Sequence, residues 1–377
     1  MLAAALFLGA GVGIGYGVWH QASNSLSSSS PVGNSPHTTS PTGSAGTGSG
    51  APAAISSIAS KVDPGLVDIN TTLSYQGAQA AGTGMVLTSS GEVLTNNHVI
   101  DGATAISVTD VGNGQTYTAT VVGYDISRDL AVLQLHGASG LQTVSIGNSS
   151  SVSVGQSVVG IGNAGGTGGT PSSAGGSVTA LNQSITATDA GNGNAEQLTG
   201  LIETNADIQP GDSGGPLVDD NGQVVGIDTA GSAGFQFQTG GGSGYAIPIN
   251  EAVATAKQID AGHGSATVHI GLTAFLGIEV QPTTSSGGFG GGAFGQGGQQ
   301  GTGVVVAAVV TGDPASVAGI SAGDTITSFD GTTVDSPSAL TAALATHHPG
   351  DKVQIEWTDQ TGQSHTATVQ LASGPPA

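Results

Sequence analysis

The chain has 377 residues, 66 of them glycine and none cysteine, and a formal net charge of −21 from 25 acidic against 4 basic side chains. So few cations argue against nucleic-acid binding and against polybasic docking to anionic lipid. Without cysteine there is no disulfide framework or thiolate metal site, no His, Asp or Glu cluster has metal-ligand spacing, and no cofactor or metal is expected.

Residues 1–20 are almost wholly apolar and uncharged, close to the roughly 20 residues that span a bilayer. They read as a membrane anchor, with a cleaved signal segment and a secreted product as the alternative. Residues 21–54 are Ser, Pro, Gly and Thr with little to bury. They are expected to form a disordered tether that lifts the remainder off the membrane, on its extracytoplasmic side.

Residues 55–262 show many short apolar runs punctuated by Gly, Asn and Asp, among them 66–73, 93–96, 117–124, 130–135, 177–186 and 224–229. This spacing predicts a mainly β domain, closed by a short helix over 252–260. The run Ile161 to Gly169 is rich in glycine but lacks a Gly-Lys-Ser/Thr ending and a following helix. It reads as a flexible surface loop rather than a phosphate loop.

Three motifs in this region carry chemistry. Gly211-Asp212-Ser213-Gly214-Gly215-Pro216 suits a tight turn that presents one hydroxyl and aims backbone N–H groups at one point, as acyl transfer requires. Thr95-Asn96-Asn97-His98-Val99 ends a strand-like run in an imidazole, and Asp129-Leu130-Ala131-Val132-Leu133 opens another with a carboxylate. A lone histidine, a turn Asp and a serine among glycines are each ordinary. All three in the order His98, Asp129, Ser213 match the chymotrypsin order, not that of subtilisin or the α/β-hydrolases.

These motifs resemble the HtrA (DegP-type) trypsin-like serine proteases, in particular the actinobacterial type with one C-terminal PDZ domain. The resemblance implies a chymotrypsin-like double β-barrel with the cleft between the barrels. It implies Ser213 as nucleophile, His98 as general base and acid, Asp129 as its orienting carboxylate, and the N–H groups of Gly211 and Ser213 as the oxyanion hole. Thr229 would hold Asp129. A homotrimer is possible, since HtrA relatives often form trimers.

Two positions depart from the family pattern. Asp212 stands where most relatives carry Asn, and it needs backbone N–H groups or a scarce cation as partner. Asp207 lies six residues before Ser213, where a trypsin-like enzyme carries its S1 aspartate. Asp228 and Thr229 fall in the segment from Gly226 to Gly231, which by resemblance lines the S1 pocket. A desolvated carboxylate there favours Lys or Arg at P1; a solvent-facing Asp207 leaves the small aliphatic preference of the family. Both readings stand on the sequence.

The last third, 270–373, differs in character. Phe275, Leu276, Gly277 and Ile278 lie in a stretch that resembles the carboxylate-binding loop of PDZ domains, whose backbone N–H groups hold a peptide C-terminus while the following strand pairs with it. A Gly-rich insert over 285–301 interrupts the domain. Runs at 304–310, 338–345, 352–357 and 366–371 complete the strand and helix pattern. The expected activity is endopeptidase cleavage of unfolded or damaged exported proteins, with C-termini captured by the PDZ domain. A catalytically silent, chaperone-like PDZ binding protein is the alternative.

Overall fold

The computed structural model describes residues 55–188, 195–229, 244–281 and 303–376. The expected anchor, the tether and the insert over 285–301 lie outside the described residues. Among the described residues, no helix is long and apolar enough to cross a membrane.

A short helix, α1 (Ile55–Val62), leads into β1 (Leu66–Leu73), β2 (Ala78–Val86), β3 (Glu92–Thr95), the single turn α2 (Asn97–Ile100), β4 (Ala105–Asp110), β5 (Thr116–Asp125) and β6 (Leu130–Leu135). These strands are antiparallel in the order β5-β4-β1-β2-β3-β6, and β6 pairs back onto β5 to close a barrel. Val67, Ile69, Val93, Val108 and Leu133 fill its interior, as expected where alternate side chains of each strand point inward.

The second barrel contains β7 (Ser157–Gly162), β8 (Ser172–Thr188), β9 (Ala195–Thr204), β10 (Pro216–Val218), β11 (Val224–Asp228) and β12 (Gly244–Pro248), closed in the order β10-β11-β12-β9-β8-β7. Val158, Val178, Ile202, Leu217 and Val225 form its core. A third cluster joins the barrels: Met85, Leu94 and Leu130 from the first meet Val159, Ile161 and Ile227 from the second. The helix α3 (Ile249–Asp260) adds Ile249, Ala252, Ala256 and Ile259 to the same cluster. Each buried aliphatic side chain there contributes about 1.5–3 kcal/mol of transfer free energy, so this cluster holds the two barrels together.

The chain then adds β13 (Val268–Ile270) to the edge of the first barrel beside β5. The remaining elements are β14 (Thr273–Phe275), β15 (Ile278–Val280), β16 (Val304–Val309), α4 (Pro314–Ala318), β17 (Thr325–Phe329), β18 (Thr332–Thr333), α5 (Pro337–Leu344), β19 (Lys352–Thr358), β20 (Ser364–Gln370) and β21 (Ala372–Gly374). They form a sheet in the order β15-β16-β17-β19-β20, a β14–β21 pair, and a separate core of Leu276, Ile278, Val304, Phe329, Leu340 and Trp357. The two regions touch. The Tyr75 and Phe275 ring centroids are 5.6 Å apart, the Tyr124 and Thr273 hydroxyls 2.9 Å apart, and Gly102 N–H donates to Pro376 O at 2.9 Å. The mainly β class and the double barrel agree with the sequence reading. The Ser/Gly-rich start of β8 is not legible in it, because that stretch has no clean apolar period; α1 is absent from it although Ile55, Ile58, Ala59 and Val62 recur at helical spacing.

Candidate active site

Residue His98 follows directly from how β3 ends. Asn96 is extended, and the next four residues make one helical turn whose Val99 and Ile100 are buried. Burying those two anchors the turn and leaves His98 at the barrel rim, its side chain 12% exposed. Asp129 follows a 3₁₀ turn at Ile126–Arg128 and takes the left-handed conformation, φ 53 and ψ 50, which Asp tolerates better than most residues. Asn96 Nδ2 donates to Asp129 O at 2.8 Å and secures that strained backbone.

The Asp129 carboxylate then meets His98 twice. Oδ1 accepts from His98 backbone N–H at 2.9 Å and Oδ2 lies 2.8 Å from His98 Nδ1. A carboxylate only accepts, so Nδ1 carries the proton of the neutral ring and Nε2 is left as its basic nitrogen. Thr229, just past β11, donates from Oγ1 to the same Oδ2 at 3.1 Å. The group is buried: Asp129 is 4% and Thr229 3% exposed.

Ser213 lies on the turn between β9 and β10 and is itself buried. Its carbonyl accepts from Thr83 N–H of β2 at 2.8 Å, and the Thr83 carbonyl accepts from Thr95 Oγ1 at 2.7 Å, three residues before His98. A methyl built on Gly82 would lie 2.7 Å from Val99 and 3.2 Å from Ser213 O. The histidine segment and the serine turn therefore face each other across one glycine. Gly211 sits at φ 101, and a Cβ there would fall 2.2 Å from Asn163 O. Only glycine fits that position.

Asp212 turns inward. Its Oδ2 accepts from Gln209 N–H at 2.8 Å and its Oδ1 from Ser172 Oγ at 3.4 Å. Burial raises its pKa, the Gln209 N–H and the Ser172 hydroxyl oppose that rise, and the Asp207 charge adds to it. No cation pairs with Asp212 among the described residues. Asp228, at the end of β11, is fully buried. Its backbone clasps the turn, with Gly214 N–H donating to Asp228 O at 2.9 Å and Asp228 N–H to Gly215 O at 2.8 Å. Burial pushes its carboxyl well above the ordinary carboxylate range, the Asp212 charge pushes the same way, and the Ile161 N–H opposes them.

The expected pocket residues are thus dispersed. Asp207 is exposed and accepts from Gln209 Nε2 at 2.5 Å. The preceding loop turns its carboxylate to solvent, away from any buried pocket floor. Thr229 is engaged with Asp129. The loop from Asn163 to Gly169 also departs from the expectation of a loose segment, because several backbone bonds tie it to its surroundings. Thr83, Asn96 and Asp68 belong to this region too. The one sequence signal for Thr83 is its isolation between Gly82 and Gly84 on a strand whose only other polar side chain is Gln79.

In the C-terminal region, Phe275, Leu276 and Ile278 are buried and Gly277 takes φ 78. The Gly277 and Leu276 carbonyls accept from Val310 and Ala315 N–H, both at 2.9 Å. β15 follows at the sheet edge.

Residues 82–227 match the trypsin-like peptidase domain family and residues 274–371 the PDZ domain family. The chain is 33% identical over 337 residues to the serine protease PepD of Mycobacterium tuberculosis, covering 85% of this chain and 66% of that protein. It is 36% identical over 282 residues to the periplasmic pH-dependent serine endoprotease DegQ of Escherichia coli, covering 74% and 56%. Among solved structures, the HtrA-type protease AlgW with a tripeptide aligns at 28% identity with a TM-score of 0.47, over 86% of this chain and 99% of that one. Double barrel and C-terminal domain together are those of a trypsin-like peptidase joined to one PDZ domain. The chain belongs to the HtrA/DegP family, with an actinobacterial PepD among its relatives. It spans between about half and two thirds of the curated relatives it matches.

Proposed function

We propose that this chain is a serine endopeptidase acting through Ser213, His98 and Asp129. The observation that carries the reading is the bond between His98 Nδ1 and Asp129 Oδ2 at 2.8 Å, beside a turn that presents a serine between glycines. His98 Nε2 takes the Ser213 proton as Oγ attacks the scissile carbonyl carbon. The carbonyl oxygen becomes an oxyanion held by Gly211 and Ser213 N–H. As the tetrahedral intermediate collapses, His98 returns the proton to the leaving amine and an acyl-enzyme remains. Water, deprotonated by His98, then releases the acid. Asp129 holds the Nδ1–H tautomer and stabilises the imidazolium.

The substrates that fit are extended segments of unfolded or damaged exported proteins, since His98 and Ser213 lie close to fully buried, where a single strand would reach them more readily than a folded domain. The edge strand β15 and the Phe275–Ile278 loop would take the C-terminus of such a chain, the peptide adding a strand to the sheet. Residues 1–20 would tether the enzyme on the extracytoplasmic face.

A fluorophosphonate probe tests the reading. Labelling of the full chain that disappears in Ser213→Ala, with hydrolysis of an unfolded protein lost in parallel, is expected. A folded wild-type chain that neither labels nor hydrolyses, yet binds C-terminal peptides, would establish the silent binding protein instead.

A further inference from the structure

The glycine-rich loop after β7 is tied down from within and from outside. Gly166 N–H donates to Asn163 O at 2.8 Å, Gly168 N–H to Asn163 Oδ1 at 2.7 Å, and Gly169 N–H to Asp68 Oδ2 at 3.0 Å. Asp68 lies on β1 of the other barrel and is 4% exposed. From this anchored loop, Gly165 N–H donates to Pro210 O at 2.7 Å. On the other side, Thr83 Oγ1 donates to Gly211 O at 2.8 Å and accepts from Asn163 N–H at 2.9 Å. The carbonyls before and after the Gly211 nitrogen are therefore both held by groups outside the serine turn.

Peptide planarity converts this into a direction. In a trans peptide the N–H points opposite to the C=O of the same unit. Gly211 N–H belongs to the Pro210–Gly211 peptide. With Pro210 O held on Gly165, that N–H must point away from the loop. Glycine at φ 101 would otherwise rotate freely between orientations, and Thr83 removes the freedom by holding the next carbonyl.

Resting on the peptidase reading, in which Gly211 N–H is an oxyanion donor, we propose that Thr83 and the Asp68-anchored loop are positioning elements that orient this donor. Thr83 touches no substrate and acts through Gly211. Its hydroxyl uses both its donor and its acceptor capacity, and the residue is 1% exposed. Valine keeps its shape and loses both bonds; serine keeps both bonds and loses a methyl group. Because the oxyanion exists only after attack, misorientation should appear in kcat and not in KM.

The test is steady-state hydrolysis of a fluorogenic peptide by the full chain, with a thermal melt of each variant. Thr83→Val is expected to lose roughly 10- to 100-fold in kcat with KM nearly unchanged, less than the ~10²–10³ that follows outright loss of an oxyanion donor. Thr83→Ser is expected to stay within about three-fold of wild type in both constants. Asp68→Ala, which frees the loop and leaves Thr83 intact, is expected to lower kcat in the same sense. It decides the matter if Thr83→Val does not fold. A folded Thr83→Val with wild-type kcat, an equal loss in Thr83→Ser, or an effect confined to KM overturns the inference while leaving the peptidase reading in place. A wild-type chain that hydrolyses nothing overturns the peptidase reading, and this inference with it.

Discussion

Thr229 Oγ1 donates to Asp129 Oδ2 at 3.1 Å, on the oxygen that also faces His98 Nδ1 at 2.8 Å. Asp129 comes from the first barrel and Thr229 from the second, so this bond crosses the cleft. It fixes which oxygen of the carboxylate faces the ring, and with it the plane of the imidazole. Removing the Asp129 charge should be far more damaging than removing its support. Asp129→Asn is expected to lower kcat by about 10⁴, because an amide can donate and favours the wrong tautomer. Thr229→Val is expected to lower kcat by roughly ten-fold, as one hydrogen bond to a charged group is lost. Both are read by fluorogenic hydrolysis with KM measured alongside. Equal losses in the two variants would contradict the hierarchy.

Asp228 supplies a stability prediction with a definite sign. Its carboxyl is raised well above 3.8 by burial and by the Asp212 charge. Below about pH 4 the folded and unfolded chains both hold the proton. Above that, the unfolded chain releases it and the folded chain retains it. Stability should therefore fall as pH rises, by up to about 1.4 kcal/mol per pH unit, until the folded group itself ionises. Asp228→Asn should match wild type near pH 4 and melt higher at pH 7 to 8. Asp212→Asn should weaken the same slope by removing one of its causes. Thermal melts across this range check the pair, and parallel curves for wild type and Asp228→Asn would refute the assignment.

The same carboxyl bears on specificity. Asp207 faces solvent, and Asp228 is buried behind Gly160, where a Cβ would lie 3.1 Å from its Oδ2 and 3.3 Å from Ile208 Cγ1. Ile208 also closes on Gly244, with its Cδ1 2.7 Å from the Cβ position there. If these residues line S1, its floor is a branched aliphatic beside a buried acid whose charged form burial disfavours, and a cationic side chain gains little there. A peptide library varied at P1 should show cleavage after Val or Ala at least as fast as after Lys or Arg. A clear preference for Lys or Arg would mean that Asp207 or Asp228 rearranges to present its charge.

The relation between sequence and structure explains which of these features can be read in advance. His98, Asp129 and Ser213 are legible because each stands where a strand breaks into a turn, and polar residues are conspicuous there. The strands are legible from short apolar and β-branched runs, whereas their closure into two barrels follows only from the family resemblance. Thr83 is not, because Gly211 and Asn163 lie 128 and 80 residues further along the chain and nothing local marks the pairing. Asp228 is opaque for another reason. All five residues of β11 are buried, so alternation, the usual guide to which way a strand residue points, carries no information there. The glycines of the loop after β7 suggest looseness, whereas they take left-handed conformations that let successive N–H groups reach Asn163, Pro210 and Asp68.

The last prediction concerns Gly277. It takes φ 78, and a Cβ added there would lie 2.3 Å from Asp313 Cβ and 2.9 Å from Asp313 Oδ2. Asp313 can move, but the left-handed backbone cannot be relieved without reshaping the Phe275–Ile278 loop. Strain of this kind costs of order 1–3 kcal/mol. Gly277→Ala should therefore lower the melting of the PDZ domain and weaken binding of a fluorescent peptide with an apolar C-terminal residue. The wild-type chain should bind that peptide through its free carboxylate and lose it when the C-terminus is amidated, because backbone N–H groups recognise charge at that point. Fluorophosphonate labelling of Ser213 should survive the substitution, since the two regions have separate cores. Wild-type peptide affinity in Gly277→Ala, measured by fluorescence polarisation, would show that this loop is not where the C-terminus sits.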